Sequence, residues 1–263
     1  MPIAPAAGGR SASRGNRLNV ETAQVSLQGN RSDNQDRASI VVTDTRILLA
    51  VADGMGGHIG GDVAAEAAID ALVRCFKRLR GGIRDAGDFL RESIVEAHEA
   101  VVMLGAALAP ELRPRTTITV CVVADNCATW AHVGDSRIYL MRDQKVLIRT
   151  RDHSAVELLV QQGLLKDADV HTHPMRNFVE QCLGGEPEIP QITITEPKPL
   201  RAGDVMLLCS DGFWAPLQEK HLAEELGSHL ELQTIVDILA QEATEAASPS
   251  SDNVTAVALR WMD

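Results

Sequence analysis

Apolar and polar residues alternate over 20–28 and 37–43, the period of a half-buried strand. The apolar stretch 46–52 is continuous, as in a strand buried on both faces, and it stops at Asp53-Gly54. The same phrase returns at 204–209, which stops at Asp211-Gly212. An Asp-Gly ending sets a carboxylate at the mouth of a strand and predicts a sharp turn at the glycine. Apolar spacing becomes helical over 62–79, where Val63, Ala67, Leu72, Phe76 and Leu79 share a face. A second helix is predicted over 88–108, stopped by Pro110. Short strands at 116–124, 128–133, 137–142 and 146–149 predict an antiparallel meander, with Gly134-Asp135 as a hairpin turn. Ser154 caps a short helix over 154–162, and a polar, His-rich flap follows at 163–177. Strands are predicted at 191–196, 204–209 and 253–261, with helices at 219–226 and 232–245 between the last two.

Strands therefore come in blocks and helices in blocks. This is an α+β pattern with antiparallel sheets, not a βαβ alternation. Residues 1–18, rich in Pro, Ala, Gly, Ser and Arg, read as a disordered tail; 19–263 read as a single domain.

Composition narrows the chemistry. Hydrophobic residues make up 45% of the 263 but aromatics only 3%, so the core must be built from Ala, Val, Leu and Ile. The net charge of −11 argues against nucleic acid or an anionic membrane as partner. An anionic substrate stays open if bound cations invert the local field. The five cysteines include no C-x-x-C and sit mostly in apolar runs, which predicts buried, reduced thiols and a cytoplasmic setting. No apolar stretch approaches the ~18 residues of a membrane span, and no signal-type segment opens the chain.

Two further acids join the Asp-Gly pair: Asp36, just before the strand at 37–43, and Asp252, just before the last strand. Taken singly, each is an ordinary turn or cap residue. Grouped, they would repel one another unless a hard divalent cation held them. No cysteine is followed six positions on by arginine, and there is no G-x-S-x-G elbow, so neither common covalent nucleophile is present.

The ordered set R-S-D-N-Q-D (31–36), D-G-M-G-G-H (53–58), T-T (116–117), G-D-S-R (134–137), D-H-S (152–154), L-G-G (183–185), S-D-G-F-W (210–214) and S-D-N-V-T (251–255) resembles the bacterial metal-dependent protein phosphatases of type 2C, the PPM family. Each motif alone is weak; the set in order, over about 20–261, is specific. The resemblance implies a four-layer αββα sandwich of two antiparallel sheets flanked by helices. It implies hydrolysis of phosphoserine and phosphothreonine by a water that bridges two Mn2+ or Mg2+ ions, with a third ion held more weakly. By position, Asp53 resembles the ligand shared by both metals, and Asp211 and Asp252 the remaining ligands of the first. The Gly54 carbonyl and Asp36 resemble the second metal's surroundings. Asp135 resembles a ligand of the third metal, shared with Asp211, and Arg31 resembles the phosphate-binding arginine. Phosphorylated proteins, targets of a cognate Ser/Thr kinase, are the implied partners of a monomer.

Two departures matter. Where a proposed general acid often stands, this chain has Met55; His58 is the substitute donor. Where many members carry Glu, it has Gln35, so Asp36 must serve the second metal, with Asn34 and Asn253 orienting their neighbours. His132 reads as a core residue, His171 and His173 as exposed, and Trp214 as packing beneath the acidic rim. The competing readings are a catalytically weak phosphoprotein-binding module of the same fold and a phosphatase of small phosphoesters.

Overall fold

The computed structural model describes residues 18–55, 60–166, 173–175 and 178–262. Strands β1 (Val20–Leu27), β2 (Asp36–Val42) and β3 (Arg46–Met55) precede helices α1 (Gly61–Arg78) and α2 (Ala86–Leu104). Then come β4 (Arg115–Thr116), β5 (Ile118–Ala124), β6 (Cys127–Val133), β7 (Arg137–Arg142) and β8 (Lys145–Arg149). Helix α3 (Ala155–Gln161) and the short strands β9 (Leu183–Gly184), β10 (Thr193–Ile194) and β11 (Lys198–Pro199) lead to β12 (Val205–Cys209). The chain closes with α4 (Asp211–Trp214), α5 (Glu219–Leu226), α6 (Leu232–Ala246) and β13 (Val254–Trp261).

The central strands are apolar on both faces, and each face has a separate duty. Ile47, Leu49 and Val51 of β3 meet Met206 and Leu208 of β12 and Val257 and Leu259 of β13 in the space between two sheets. Their neighbours Leu48, Ala50 and Ala52 face α1 and α2 instead. In the same way Val205, Leu207 and Cys209 turn outward against α5 and α6. Side chains alternate across a strand, so continuous apolar runs must be covered twice. The result is helix, sheet, sheet, helix, the predicted sandwich. One sheet has the order β1-β13-β12-β7-β8; the other is built on β2, β3, β5 and β6, and the named pairs are antiparallel. With few aromatics, close approach replaces bulk: α1 lays Ala64, Ala65, Ala68 and Ala71 on β3.

The structure departs from expectation at several places. The four-strand meander is two hairpins, β5-β6 and β7-β8, lying in different sheets. Gly134-Asp135 is therefore no hairpin turn; it carries the chain from one sheet to the other. Gly134 takes φ +108°, and a Cβ there would come within 2.6 Å of the Thr117 side chain. Strand β3 does not stop at Asp53 but runs through Gly54 to Met55, paired with β4. Asp211-Gly212 opens the one-turn helix α4 rather than a turn. The second helix is N-capped by Asp85 and ends at Leu104, and Pro110 opens a separate 3-10 turn, Pro110–Leu112. On α1, Val63 is exposed and the buried stripe is shifted to its alanine neighbours. The predicted strands at 116–124 and 191–196 are broken at Thr117 and shortened to Thr193–Ile194. The predicted tail, apart from Leu18, lies outside the described residues. Among the described residues no helix is long and apolar enough to cross a membrane.

Candidate metal centre

Asp36 opens β2 and stands directly opposite Asp53 of β3. Asn34 Oδ1 accepts the Asp36 amide at 3.0 Å, and Ser210 Oγ donates to Asp36 Oδ2 at 2.7 Å, joining the two sheets at the rim. The other carboxyl oxygen, Oδ1, is buried with no hydrogen-bond partner. A buried, half-satisfied carboxylate is costly unless something else completes it.

The main chain of Asp53 is gripped by the T-T pair. Its amide donates to Thr117 Oγ1 at 3.1 Å; its carbonyl accepts from Thr116 Oγ1 at 2.9 Å and from the Thr117 amide at 2.8 Å. Thr117 Oγ1 also meets Ser136 Oγ at 2.8 Å, which ties Asp53 to the loop carrying Asp135. Gly54 sits where a Cβ would fall 2.2 Å from the Gly61 carbonyl oxygen and 2.8 Å from that of Gln35. Gly212 fills a similar need: a Cβ there would be 2.1 Å from the Asn253 carbonyl oxygen. That close approach brings Asp211, at the start of α4, beside Asp252, two residues before β13.

Asp252 Oδ2 accepts from the exposed Arg31 guanidinium at 2.6 Å. Asn253 staples the loop that carries Arg31: its Oδ1 takes the Gln35 amide at 2.9 Å, and its Nδ2 donates to the Gln28 and Asp33 carbonyls at 2.8 and 2.9 Å. Asp135 is buried, and Trp214 Nε1 donates to its carbonyl at 3.1 Å. Beneath it, buried Arg137 forms a two-pronged pair with Asp152, at 2.9 and 2.8 Å, and lies 3.3 Å over the Trp214 ring. Arg31, Asp135, Asp152, Asp211, Trp214 and Asp252 line a cleft of about 450 Å³.

The electrostatics follow from burial first and repulsion second. Burial, with Asp211 and Asp252 as lesser contributors, pushes Asp36 up to about 7 despite the Ser210 hydrogen bond. Burial and then Asp36, Asp211, Asp135 and Asp252 hold Asp53 well above the ordinary carboxylate range. Asp135 is raised in the same way, by burial and by Asp211. Burial and Asp252 raise Asp211 to about 6. Among the described residues, no group of three His, Cys, Asp or Glu side chains forms a ready-made cage for an ion. Mg2+-like ions keep several waters and take only one or two carboxylates, so the spread arrangement, with its unsatisfied Asp36 oxygen, fits a water-rich site.

The structure thus gathers Asp36, Asp53, Gly54, Asp135, Asp211, Asp252 and Arg31 at one rim; His58 lies outside the described residues, as does His171. His132 is buried and bonds the Arg151 carbonyl at 2.8 Å through Nε2, while Nδ1 has no partner. Sequence reasoning missed the hydroxyls of Thr116, Thr117 and Ser210 and the carboxylate of Asp152. A sequence signal existed: Ser210 and Asp152 stand inside motifs that carry an acid, and Thr116 and Thr117 are the T-T motif itself.

A protein phosphatase 2C family model matches residues 24–248. The chain belongs to the protein phosphatase 2C family. This phosphatase 2C chain is 35% identical over 219 residues to the serine/threonine protein phosphatase PstP of Mycobacterium tuberculosis, covering 82% of the chain but only 40% of PstP. It is 30% identical to the serine/threonine phosphatase stp of Listeria monocytogenes, covering 86% of the chain and 89% of that protein. Among solved structures, the catalytic domain of PstP in complex with two manganese ions superposes with a TM-score of 0.77 at 31% identity, covering 93% of this chain and 99% of that one.

Proposed function

We propose that the chain is a metal-dependent protein serine/threonine phosphatase, acting on phosphoserine and phosphothreonine in proteins. The observation that carries this reading is the set of proton-hungry carboxylates at one rim, Asp36, Asp53, Asp135 and Asp211, beside Asp252 and Arg31. Family membership and the manganese-bound PstP domain support it.

Asp53 would be shared by two Mn2+ or Mg2+ ions, Asp211 and Asp252 would complete the first, and Asp36 and the Gly54 carbonyl the second. Asp135 with Asp211 would hold a third ion more weakly. Such ions lower the pKa of water and neutralise phosphoryl charge. The chain's own residues do the rest. The two threonines fix the Asp53 backbone so that its carboxyl cannot recoil from its neighbours. Arg31, held near the rim by Asp252, offers a planar guanidinium that matches two phosphoryl oxygens. The Arg137–Asp152 pair under Trp214 stiffens the wall behind Asp135. His58 is assigned proton donation to the leaving group on sequence grounds. The partners are phosphorylated targets of a Ser/Thr kinase, and the enzyme acts as a monomer.

The test is hydrolysis of a phosphothreonine peptide with and without Mn2+. Turnover is expected to require the metal and to fall by at least about a hundredfold in Asp211→Asn. Metal-independent turnover, or full activity in that variant, overturns the reading.

A further inference from the structure

The D-H-S motif does more than cap a helix. Its middle residue, His153, is the junction of three structures. Its own amide donates to the Gly134 carbonyl at 2.9 Å, and the Gly134 amide donates back to His153 Nδ1 at 3.3 Å. Gly134 is the residue of positive φ that sets Asp135 in place. An Nδ1 that accepts carries no proton, so the neutral ring has its proton on Nε2. Nε2 therefore donates to Thr193 Oγ1, 2.8 Å away.

Thr193 opens β10, and between His153 and Thr193 lies the 154–192 excursion, described over 154–166, 173–175 and 178–192. The two residues join the beginning and the end of that excursion. Its described middle returns to the same point: the Glu180 amide donates to the His153 carbonyl at 2.8 Å, the Ala155 amide to the Phe178 carbonyl at 3.1 Å, and Ser154 bridges Val179. The imidazole has a platform as well. It stacks on His132, centroids 4.5 Å apart and planes at 26°, and His132 itself pairs with Thr193 across β6 and β10. Burial, then His132, lowers His153 to about 4, which keeps the ring neutral and Nδ1 an acceptor.

We propose that His153 is a positioning residue that fastens the described ends of the 154–192 excursion, 154–166 and 178–192, to the Gly134-Asp135 crossing, so that Val156 in the cleft wall and the Asp135 carboxylate are set by one residue. Its two nitrogens have separable duties: Nδ1 holds the crossing and Nε2 holds the excursion. The catalytic part of this inference rests on the phosphatase reading; the structural part does not.

Three variants divide the duties. Asn at 153 keeps an acceptor where Nδ1 stood but does not reach Thr193. Gln at 153 keeps a donor where Nε2 stood but leaves the Gly134 amide bare. Thr193→Val removes only the far end of the Nε2 bond. In native-state hydrogen exchange, His153→Gln is expected to speed exchange at Gly134, whereas His153→Asn and Thr193→Val speed it at Ala155 and Glu180. In Mn2+-supported turnover, His153→Gln should lose roughly tenfold in kcat on both p-nitrophenyl phosphate and a phosphothreonine peptide. His153→Asn and Thr193→Val should keep kcat on p-nitrophenyl phosphate within about twofold and raise the peptide KM roughly tenfold. Exchange unchanged at these amides in all three variants overturns the proposal. So does an equal loss of melting temperature and of kcat on both substrates in all three, which marks a merely structural role. A wild-type protein inactive on both substrates counts against the phosphatase reading, and the exchange pattern alone then decides for or against the junction.

Discussion

Asp36 has one carboxyl oxygen bonded to Ser210 and one buried with nothing to bind. At neutral pH its charge is a liability to the metal-free fold, which is what its shift to about 7 expresses. Removing the charge while keeping the shape should therefore stabilise the metal-free protein. Asp36→Asn retains an oxygen for Ser210 and should melt several degrees higher than wild type at pH 7.5 without metal. The same variant should lose most of the melting shift produced by Mn2+, which calorimetry in both conditions would read. A lower melting temperature without metal would sink this account. Such acids were legible in the sequence, because a carboxylate at the end of an apolar run is conspicuous. The partners of Thr117, between β4 and β5, and of Ser210, between β12 and α4, were not, because neither motif says which group across the fold its hydroxyl will meet. Val63 was misplaced for a related reason: on α1 the alanines are apolar enough to be core, and their small size is what lets the helix settle.

At the scale of elements, the instructive error is the meander. Alternating strands separated by Gly-Asp look the same whether the next strand pairs with the last or departs to another sheet. Only the buried faces of β6 and β7, which belong to different layers, distinguish them. The glycine is decisive for space as well as conformation. Gly134→Ala would place a methyl 2.6 Å from Thr117 at φ +108°. It should cost about 1–3 kcal/mol in urea unfolding, and activity should fall because Thr117 also holds Asp53. A variant as stable as wild type would show that the crossing has slack. The apolar runs themselves were readable, up to Ala52 in β3, since β3, β12 and β13 are covered on both faces; in β13 only Thr255 and Arg260 interrupt the run. What could not be read was that β3 continues past Asp53: its pairing with β4 comes from tertiary fit around Gly54, not from local preference.

For the molecule as a whole, two sets of groups pull stability in opposite directions with pH. Asp36, Asp53, Asp135 and Asp211 have raised values, so the folded protein holds protons that the unfolded chain releases above 3.8. Their contribution is complete at low pH and lost as pH rises to about 7 for Asp36. His98, His132 and His153 are lowered by burial, so theirs is complete above 6.5 and lost as pH falls. The two trends oppose each other below 6.5; above it only the carboxylates change. The metal-free protein should therefore melt at progressively lower temperature from about pH 6.5 to 8, and Mn2+ should restore more degrees at the upper end than at the lower. Differential scanning calorimetry across that range, with chelator and with Mn2+, checks this. A flat metal-free profile would mean the acids are not charged against one another.

The place of β13 has a consequence for synthesis. It lies between β1 and β12, although β1 is the first strand in the sequence and β13 the last. A polypeptide leaving the ribosome therefore exposes β1 long before the strand that must separate it from β12. Until Val254–Trp261 has emerged, the edge strand β1 has nothing to join it to β12, and Asp252 has not come to Arg31. The acidic rim is thus completed by the same step that closes the sheet, so a half-made chain carries Asp53 and Asp211 without yet owning a centre.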